Sequence, residues 1–332
     1  MELVLNTFGT SLVKTNDALQ VIHKDGKQLI DPERVTSIII GRGASITSDA
    51  AILALQHNID VFFVDRNGEP YGRLWSGRFG SVSDIRRQQL DFVFSSGAVN
   101  WICEIVAKKL ENQMALLLTL TGESEMEKKR EVAVRKIRDY RDKVLSLKGE
   151  VVSDIAPSLR GWEGASSRVY FECISLFLPE IYRFEGRSQH PAKDVFNCLI
   201  NYGYGILYGK VESALIKAGI DPYIGVFHRD DYNRPVLVFD VIEQFRVWVD
   251  YVAVTLLAQE VINEDCYSVR DDGSYWLDPL GKRILIQSLN DYMDEVILLN
   301  GIERSRMTHI QLFAHNFAQL LLTDKKKKTK TK

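Results

Sequence analysis

Three segments in the second half of the chain carry acidic and imidazole side chains in settings that suit metal chemistry. Glu163 has glycines close on either side, so little side-chain bulk would block the approach of an ion. His228 ends an apolar run. Asp240 and Glu243 lie three positions apart, which puts both carboxylates on one face of a helix. Two carboxylates and an imidazole suit a hard divalent ion, Mg²⁺ or Mn²⁺, and the imidazole favours Mn²⁺.

Each of these residues also has an ordinary structural interpretation. The apolar spacing that follows Glu163 puts this residue in the first turn of a helix, where a carboxylate is favoured as a cap. His228 could be a hydrogen-bonded histidine at the rim of the core. Asp240 and Glu243 could pair with arginines of the same segments. Residue types and spacing alone leave both interpretations open.

A further helix predicts a groove close to these residues. Beyond Asp194, polar and aromatic side chains recur on one face at Asn197, Asn201, Tyr204 and Tyr208. They could contact phosphates or order a metal shell, or they could form a partly buried contact between helices. Basic side chains of the same segments could add local positive charge: Arg160, Arg168, Arg187, Lys193, Arg229 and Arg246.

The composition places these residues in a globular protein. The chain has 332 residues, of which 45% are hydrophobic and 26% charged, which is enough apolar material for a core. The net charge of −2 gives no global indication of nucleic-acid binding. The last eight residues, Lys325–Lys332, carry six lysines, and such a charge run predicts a disordered tail.

Cysteine usage and the apolar pattern predict a cytoplasmic protein. The four cysteines lie far apart and form no CxxC pair, which indicates reduced core residues and argues against structural zinc. No stretch approaches the roughly 20 apolar residues that cross a bilayer. The first residues lack the basic and apolar regions of a signal peptide. We therefore expect no membrane partner.

The first part of the chain predicts a small β-domain over residues 1–83. Turn-forming residues separate short β-favouring runs: Leu3–Leu5, Ser11–Val13, Leu19–Ile22 and Ser37–Ile40. Ser48 is the predicted N-cap of one embedded helix. Asp65–Gly68 is the predicted turn of a hairpin.

From Asp84 the apolar residues recur mostly at three and four positions, which predicts helices. Two irregular stretches, Arg183–Pro191 and Asp265–Gly281, are predicted loops. The expected fold class is therefore α+β. A small β-sandwich with one helix (residues 1–83) precedes an all-α catalytic domain (residues 84–324) and the lysine-rich tail (residues 325–332).

Four motifs in the helical half, together with Ile59–Gly68 in the β-domain, resemble the CRISPR-associated integrase family Cas1. The motifs are RGWEGA at Arg160–Ala165, the polar positions from Arg187 to Tyr204, GIDPYIGVFH at Gly219–His228 and DVIEQFR at Asp240–Arg246. This resemblance covers nearly the whole chain in order. It implies that Glu163, His228 and Glu243 are the metal ligands and that Asp240 is an additional catalytic acid. One departure is that some members carry Asp where this chain has Glu243.

The resemblance also implies an activity and partners. Such a protein joins the 3′-hydroxyl ends of double-stranded spacer DNA to the CRISPR repeat by transesterification, in antiviral defence, and with water as nucleophile the same site cleaves DNA. A homodimer built by the β-domain and the small partner Cas2 are expected. The expected DNA contacts are Arg160, Arg168, Arg187, Asn197, Asn201, Tyr204, Arg229 and Arg246. A mobile-element integrase, a nuclease for branched DNA in repair and a non-catalytic DNA-binding scaffold remain alternatives.

Overall fold

The computed structural model describes residues 2–24, 26–35, 37–57, 59–64, 70–74, 82–228 and 234–330. The chain divides into two compact units, Met1–Gly80 and Ser81–Lys332. The sequence predicts a boundary at residue 83, close to this division. The predicted hairpin turn at Asp65–Gly68 lies outside the described residues.

The first unit contains two four-stranded sheets. Its strands are β1 (Glu2–Leu5), β2 (Ser11–Thr15), β3 (Ala18–His23), β4 (Gly26–Ile30), β5 (Ser37–Ile40), β6 (Ser45–Ile46), β7 (Asp60–Val64) and β8 (Pro70–Leu74). One sheet has the order β1-β5-β7-β8, with β1, β5 and β7 parallel and β8 antiparallel to β7. The other has the order β4-β3-β2-β6, in which β2 pairs in parallel only with β6.

Both sheets share one apolar core with helix α1 (Ser48–Gln56). Leu5 and Ile38 come from the first sheet, Leu12 from the second, and Leu53 from the helix. The predicted N-cap is wrong by one residue, because the hydroxyl of Thr47 accepts the hydrogen bond from the Ala50 N–H at 3.3 Å. Threonine, like serine, is a favoured N-cap residue, and the two are adjacent in the sequence.

The second unit is built from nine described helices around a separate core. They are α2 (Val82–Val93), α3 (Ser96–Thr119), α4 (Ser124–Ser146), α5 (Val152–Phe177), α6 (Val195–Lys217), α7 (Val236–Ile242), α8 (Arg246–Ala258), α9 (Pro279–Asp294) and α10 (Arg306–Lys330). Helices α3, α4 and α5 pack against one another, and α6 packs against α7, α8 and α10. The α+β class is confirmed.

This unit is mostly helical, as predicted, and it also holds two short hairpins that the sequence analysis did not predict. Strands β9 (Tyr267–Val269) and β10 (Tyr275–Leu277) pair within the stretch predicted as a loop. Strands β11 (Val296–Leu299) and β12 (Ile302–Ser305) pair across Asn300 and Gly301. These two turn residues have φ of 52° and 77°, the left-handed conformation that a tight hairpin needs. The Asn-Gly pair was a sequence signal for this hairpin.

The last helix extends further than the sequence predicts. The backbone of α10 continues to Lys330, whereas the lysine run was predicted to be disordered from Lys325. Lysine is a good helix former, so a helix that is already nucleated can continue through such a run. Among the described residues no single helix is long and apolar enough to cross a membrane. Helices α2 and α3 pass that test only when joined, and they are bent by 87°.

Candidate active site

The three predicted metal ligands line one cleft in the second unit. The cleft has a volume of about 580 Å³, and Glu163, His228 and Glu243 all face it. They come from α5, from the segment before residue 229 and from the end of α7. These positions are far apart in sequence, so the fold of the unit brings them to the same cleft.

Glu163 lies in the middle of α5, not in the first turn of a helix as predicted. The helix begins at Val152 and runs through Pro157, Gly161 and Gly164. Proline and glycine usually end helices, which explains the error. A Cβ at Gly161 or Gly164 would meet open space, so the helix face beside Glu163 is unobstructed.

An ammonium group bridges the two glutamates. The Lys109 Nζ of α3 lies 2.6 Å from Glu163 Oε1 and 2.5 Å from Glu243 Oε2. The side chains of Lys109, Glu163 and Glu243 are only 11%, 17% and 9% exposed. Burial lowers the pKa of Lys109, but the charges of both glutamates outweigh that effect and raise it. The ammonium therefore stays charged between the acids.

Glu243 sits in a turn that separates two helices. The predicted helix is interrupted, because α7 ends at Ile242 and α8 begins at Arg246. The predicted apolar stripe of Val241, Phe245, Val249 and Val252 is confirmed, since all four are buried. Arg246 places a guanidinium nitrogen 3.0 Å from Glu243 Oε1. Burial raises the pKa of Glu243, but Arg246 and Lys109 lower it by more, so the carboxylate is ionised.

Asp240 is fully buried and holds the segment that carries His228. Its Oδ2 accepts hydrogen bonds from the N–H groups of Val226 at 2.7 Å and Phe227 at 3.0 Å. Its Oδ1 accepts from the N–H of His228 at 2.9 Å and lies 2.7 Å from the ring Nδ1 of the same residue. Burial lowers the pKa of His228, yet the hydrogen bond and charge of Asp240 raise it above the ordinary value. With Nδ1 bound to Asp240, Nε2 is the ring nitrogen left for a ligand.

The donor chemistry of the cleft fits a divalent cation, although the side chains do not yet converge. In the described ranges no three His, Cys, Asp or Glu side chains gather closely enough to hold an ion. The reason is visible at Lys109, whose ammonium lies between the two glutamates. Glu243 Oε2 is buried, and its close partner in the described residues is the Lys109 ammonium at 2.5 Å. Two carboxylates and a free imidazole nitrogen are suitable ligands for Mg²⁺ or Mn²⁺.

Two of the residues predicted to contact DNA form hydrogen bonds with an arginine. Asn197 is fully buried, and its Oδ1 accepts hydrogen bonds from Arg187 at 2.7 Å and from the Ser188 N–H at 3.0 Å. Asn201 Oδ1 accepts from the other guanidinium nitrogen of Arg187 at 2.5 Å. Arg187 itself lines the cleft. The amide oxygens of Asn197 and Asn201 therefore hold Arg187 in position, and contact of these two residues with DNA stays a prediction.

Tyr204 and Asp250, which line the same cleft, belong to a network of buried side chains. Asp250 accepts hydrogen bonds from the hydroxyl groups of Tyr170 at 2.9 Å and Tyr204 at 2.5 Å. The guanidinium groups of Arg246 and Arg187 lie 4.7 Å and 5.5 Å from the centre of the Tyr204 ring. Burial raises the pKa of Asp250 to about 6. Tyr204 is only 9% exposed and supports two arginines, and its contact with DNA stays a prediction.

The remaining predicted contacts are dispersed. Arg168 lines the cleft, whereas Arg160 is exposed and packs over the Phe227 ring at 5.1 Å. Tyr208 donates its hydroxyl to the Pro235 carbonyl at 3.2 Å, which fits the contact between helices. Arg229 lies outside the described residues.

Sequence reasoning missed Lys109 and Asp250. Both lie on helices whose neighbouring positions are apolar and buried, α3 and α8. A charged residue on a buried helix face requires a partner, and that pattern could have indicated both residues.

Comparison with known proteins finds one family, by a family model and by a sequence relative. The family model described as CRISPR associated protein Cas1 matches residues 3–291. The chain is 34% identical to a protein of Archaeoglobus fulgidus named CRISPR-associated endonuclease Cas1 1, covering 97% of this chain and 96% of that protein.

Two solved structures share the fold. One is described as a casposase bound to integration product, with a TM-score of 0.67 and 19% identity over 97% of this chain and 96% of the other. The other is described as a partial Cas6-RT-Cas1–Cas2 complex, with a TM-score of 0.71 and 23% identity over 98% of this chain and 96% of the other.

Proposed function

The chain belongs to the Cas1 family of CRISPR-associated proteins, and from that premise we propose that it is a metal-dependent DNA endonuclease and integrase. Its reaction joins the 3′-hydroxyl end of a spacer DNA to the CRISPR array by transesterification at a phosphodiester. With water as the nucleophile, the same site cleaves DNA. The sequence neighbours named as endonucleases and the fold shared with a casposase on its integration product support this proposal.

One observation carries the assignment of the site. Asp240 binds Nδ1 of His228 at 2.7 Å, and His228 faces the cleft that Glu163 and Glu243 also line. Histidine ligands of metals usually have their second ring nitrogen fixed by a carboxylate in this way. A histidine serving only as a core residue would not require its free nitrogen to face a cleft containing two acids.

Each side chain then has a defined part in the proposed reaction. Glu163, Glu243 and His228 Nε2 hold Mg²⁺ or Mn²⁺, and Asp240 orients the imidazole. The bound cation would stabilise negative charge that develops on the phosphate. Arg168 and Arg187 line the same cleft and offer positive charge to the DNA backbone. Arg246 keeps Glu243 in place through their ion pair.

The proposed partners are DNA, the protein Cas2 and a second copy of the chain. The neighbour described as a Cas1–Cas2 complex supports the second of these. Exposed apolar side chains in the first unit, among them Val4, Phe8, Leu29 and Ile52, support a protein interface there. A truncated protein beginning at Asp84 should then be monomeric in light scattering while the full chain is a dimer. A dimer from the truncated protein would contradict this part of the proposal.

A strand-transfer assay tests the proposed reaction. The protein is incubated with short duplex DNA and with target DNA that either contains or lacks the CRISPR repeat, in the presence and absence of Mn²⁺. We expect joined product only with Mn²⁺, and none from Glu163→Gln. Glu172→Gln is the matched control, because Glu172 is an exposed acid on the same helix that also borders the cleft.

The outcomes separate the alternatives. Joining that ignores the repeat would favour a mobile-element integrase, and cleavage of branched DNA without joining would favour a repair nuclease. Metal-independent product, or full activity in Glu163→Gln, would contradict the proposed site. DNA binding without any chemistry would indicate a scaffold.

A further inference from the structure

Lys109 contacts both glutamates and is more buried than Arg246, which contacts Glu243. The proposed reaction gives Lys109 no role. Its ammonium contacts Glu163 and Glu243 at 2.6 Å and 2.5 Å. The three side chains come from α3, α5 and the turn after α7, so one cation joins three separate elements. Removing it would leave two acids facing each other in a largely buried site.

The charges at the glutamates balance without any metal. Lys109 and Arg246 supply two positive charges, and Glu163 and Glu243 supply two negative ones. A divalent cation bound by the same two carboxylates would lie within a few ångströms of the Lys109 ammonium. Two cations that close repel strongly where water is scarce. The ammonium and the divalent ion therefore compete for one position.

We propose that Lys109 is the resident cation of the metal-free site, holding Glu163 and Glu243 together and leaving them when a divalent ion binds. This inference rests on the proposed function, since it concerns the same metal site. Lys109 also lines the cleft, so the displaced ammonium can turn towards the space that the DNA backbone would occupy. The loaded site then carries excess positive charge, which a phosphate can neutralise.

Competition of this kind lowers the apparent affinity of the site for metal. If the ammonium occupies the position in about nine molecules of ten, apparent affinity falls about tenfold relative to a site without it. A lysine that served only to hold the fold together would not have this effect. Its removal would weaken metal binding, because the two carboxylates would separate.

The experiment compares Mn²⁺ binding and thermal unfolding of the full chain with those of Lys109→Met. Lys109→Gln is a second neutral variant, for use if the methionine variant fails to fold. Its amide N–H groups can still donate hydrogen bonds to both acids. Lys108→Met is the matched control, because Lys108 is adjacent, half-exposed and paired with Glu111 on its own helix. Isothermal titration calorimetry gives the dissociation constant, and calorimetric scans with and without Mn²⁺ give Tm.

We expect Lys109→Met or Lys109→Gln to bind Mn²⁺ about tenfold more tightly than the wild type, with Lys108→Met unchanged. Without metal their Tm should fall by several degrees, and saturating Mn²⁺ should remove most of that difference. Equal or weaker Mn²⁺ binding by both Lys109 variants, while the wild type binds normally, would overturn this inference alone. If neither the wild type nor any variant binds Mn²⁺, the proposed metal site fails and the inference fails with it.

Discussion

Replacing Asp240 by asparagine should lower the stability of the protein and weaken metal binding, although the Asp240 side chain is fully buried. The carboxylate accepts three backbone N–H groups and contacts the His228 ring, and asparagine has only one oxygen to offer. If the new NH₂ group takes the place of Oδ2, it faces two N–H donors. If it takes the place of Oδ1, it faces one N–H and the imidazole. At least one buried backbone donor loses its acceptor in either orientation.

The cost follows from these contacts. An unsatisfied buried donor costs about 1–3 kcal/mol, and the remaining bonds lose their charge assistance, so we expect a loss of about 3 kcal/mol in unfolding free energy. For a unit of this size that corresponds to a fall in Tm of about 6–12 °C. An NH₂ group at the Oδ1 position also donates to Nδ1, which moves the imidazole proton to Nε2. Metal affinity should then fall about 10–100-fold, and excess Mn²⁺ should restore part of the activity.

Differential scanning calorimetry and Mn²⁺ titration measure both effects. Asp221→Asn is the matched control. Asp221 lies in the segment that carries His228, and its side chain accepts the N–H of Tyr223 at 3.0 Å in a more exposed position. A Tm for Asp240→Asn within about 1 °C of the wild type, or an equal loss in Asp221→Asn, would refute the reasoning. By contrast, Glu243→Gln, which alters a proposed ligand, should stay inactive at every Mn²⁺ concentration.

Four further outcomes are expected. A Cβ at Gly225 would press on the backbone of His228, so Gly225→Ala should cost about 1–3 kcal/mol and weaken Mn²⁺ binding. Gly161→Ala, whose Cβ meets open space, should raise Tm instead. The pKa of Asp250 is raised to about 6, so the folded protein keeps this proton to higher pH than the unfolded chain. The unfolding free energy of the wild type should therefore decrease as the pH rises from about 4 to about 6. In urea unfolding, Asp250→Asn should lack this total decrease of about 3 kcal/mol. The same pH dependence of unfolding free energy in both proteins would contradict the assignment. Deleting Lys325–Lys332 should weaken DNA binding and its salt dependence but leave cleavage at saturating DNA unchanged, and a loss of cleavage there would place the tail in the site.

The sequence predicted the fold class because local patterns carry it. Alternating and helical apolar spacing placed the strands and most helices, and the buried stripe after Asp240 was correct. The same patterns failed where a favourable turn was overlooked, as at Asn300 and Gly301, and where poor helix formers sit within a helix, as beside Glu163. At the hairpin a local turn signal was missed, whereas beside Glu163 packing of the whole unit keeps the helix continuous.

The candidate site was predicted only in part. Residue types and family motifs selected Glu163, His228 and Glu243, which do line one cleft, while their role as ligands stays a proposal. The division of labour among the polar groups depends on burial, which spacing does not reveal. Asp240 was predicted as an additional catalytic acid and Asn197 as a DNA contact, and both prove to be fully enclosed and hydrogen-bonded to other groups of the protein. Lys109 was missed because its partners lie on other helices.

The helix that presents Glu163 cannot be treated as a portable part. Two glycines at about 1 kcal/mol each and one proline at about 3 kcal/mol disfavour α5 as an isolated helix, relative to alanine at the same positions. Its conformation therefore depends on packing against α3 and α4. A peptide of Val152–Phe177, or the same segment grafted onto an unrelated helical scaffold, would not keep Glu163 at a fixed position. Designers who wish to transplant this chemistry would have to carry the three-helix framework with it.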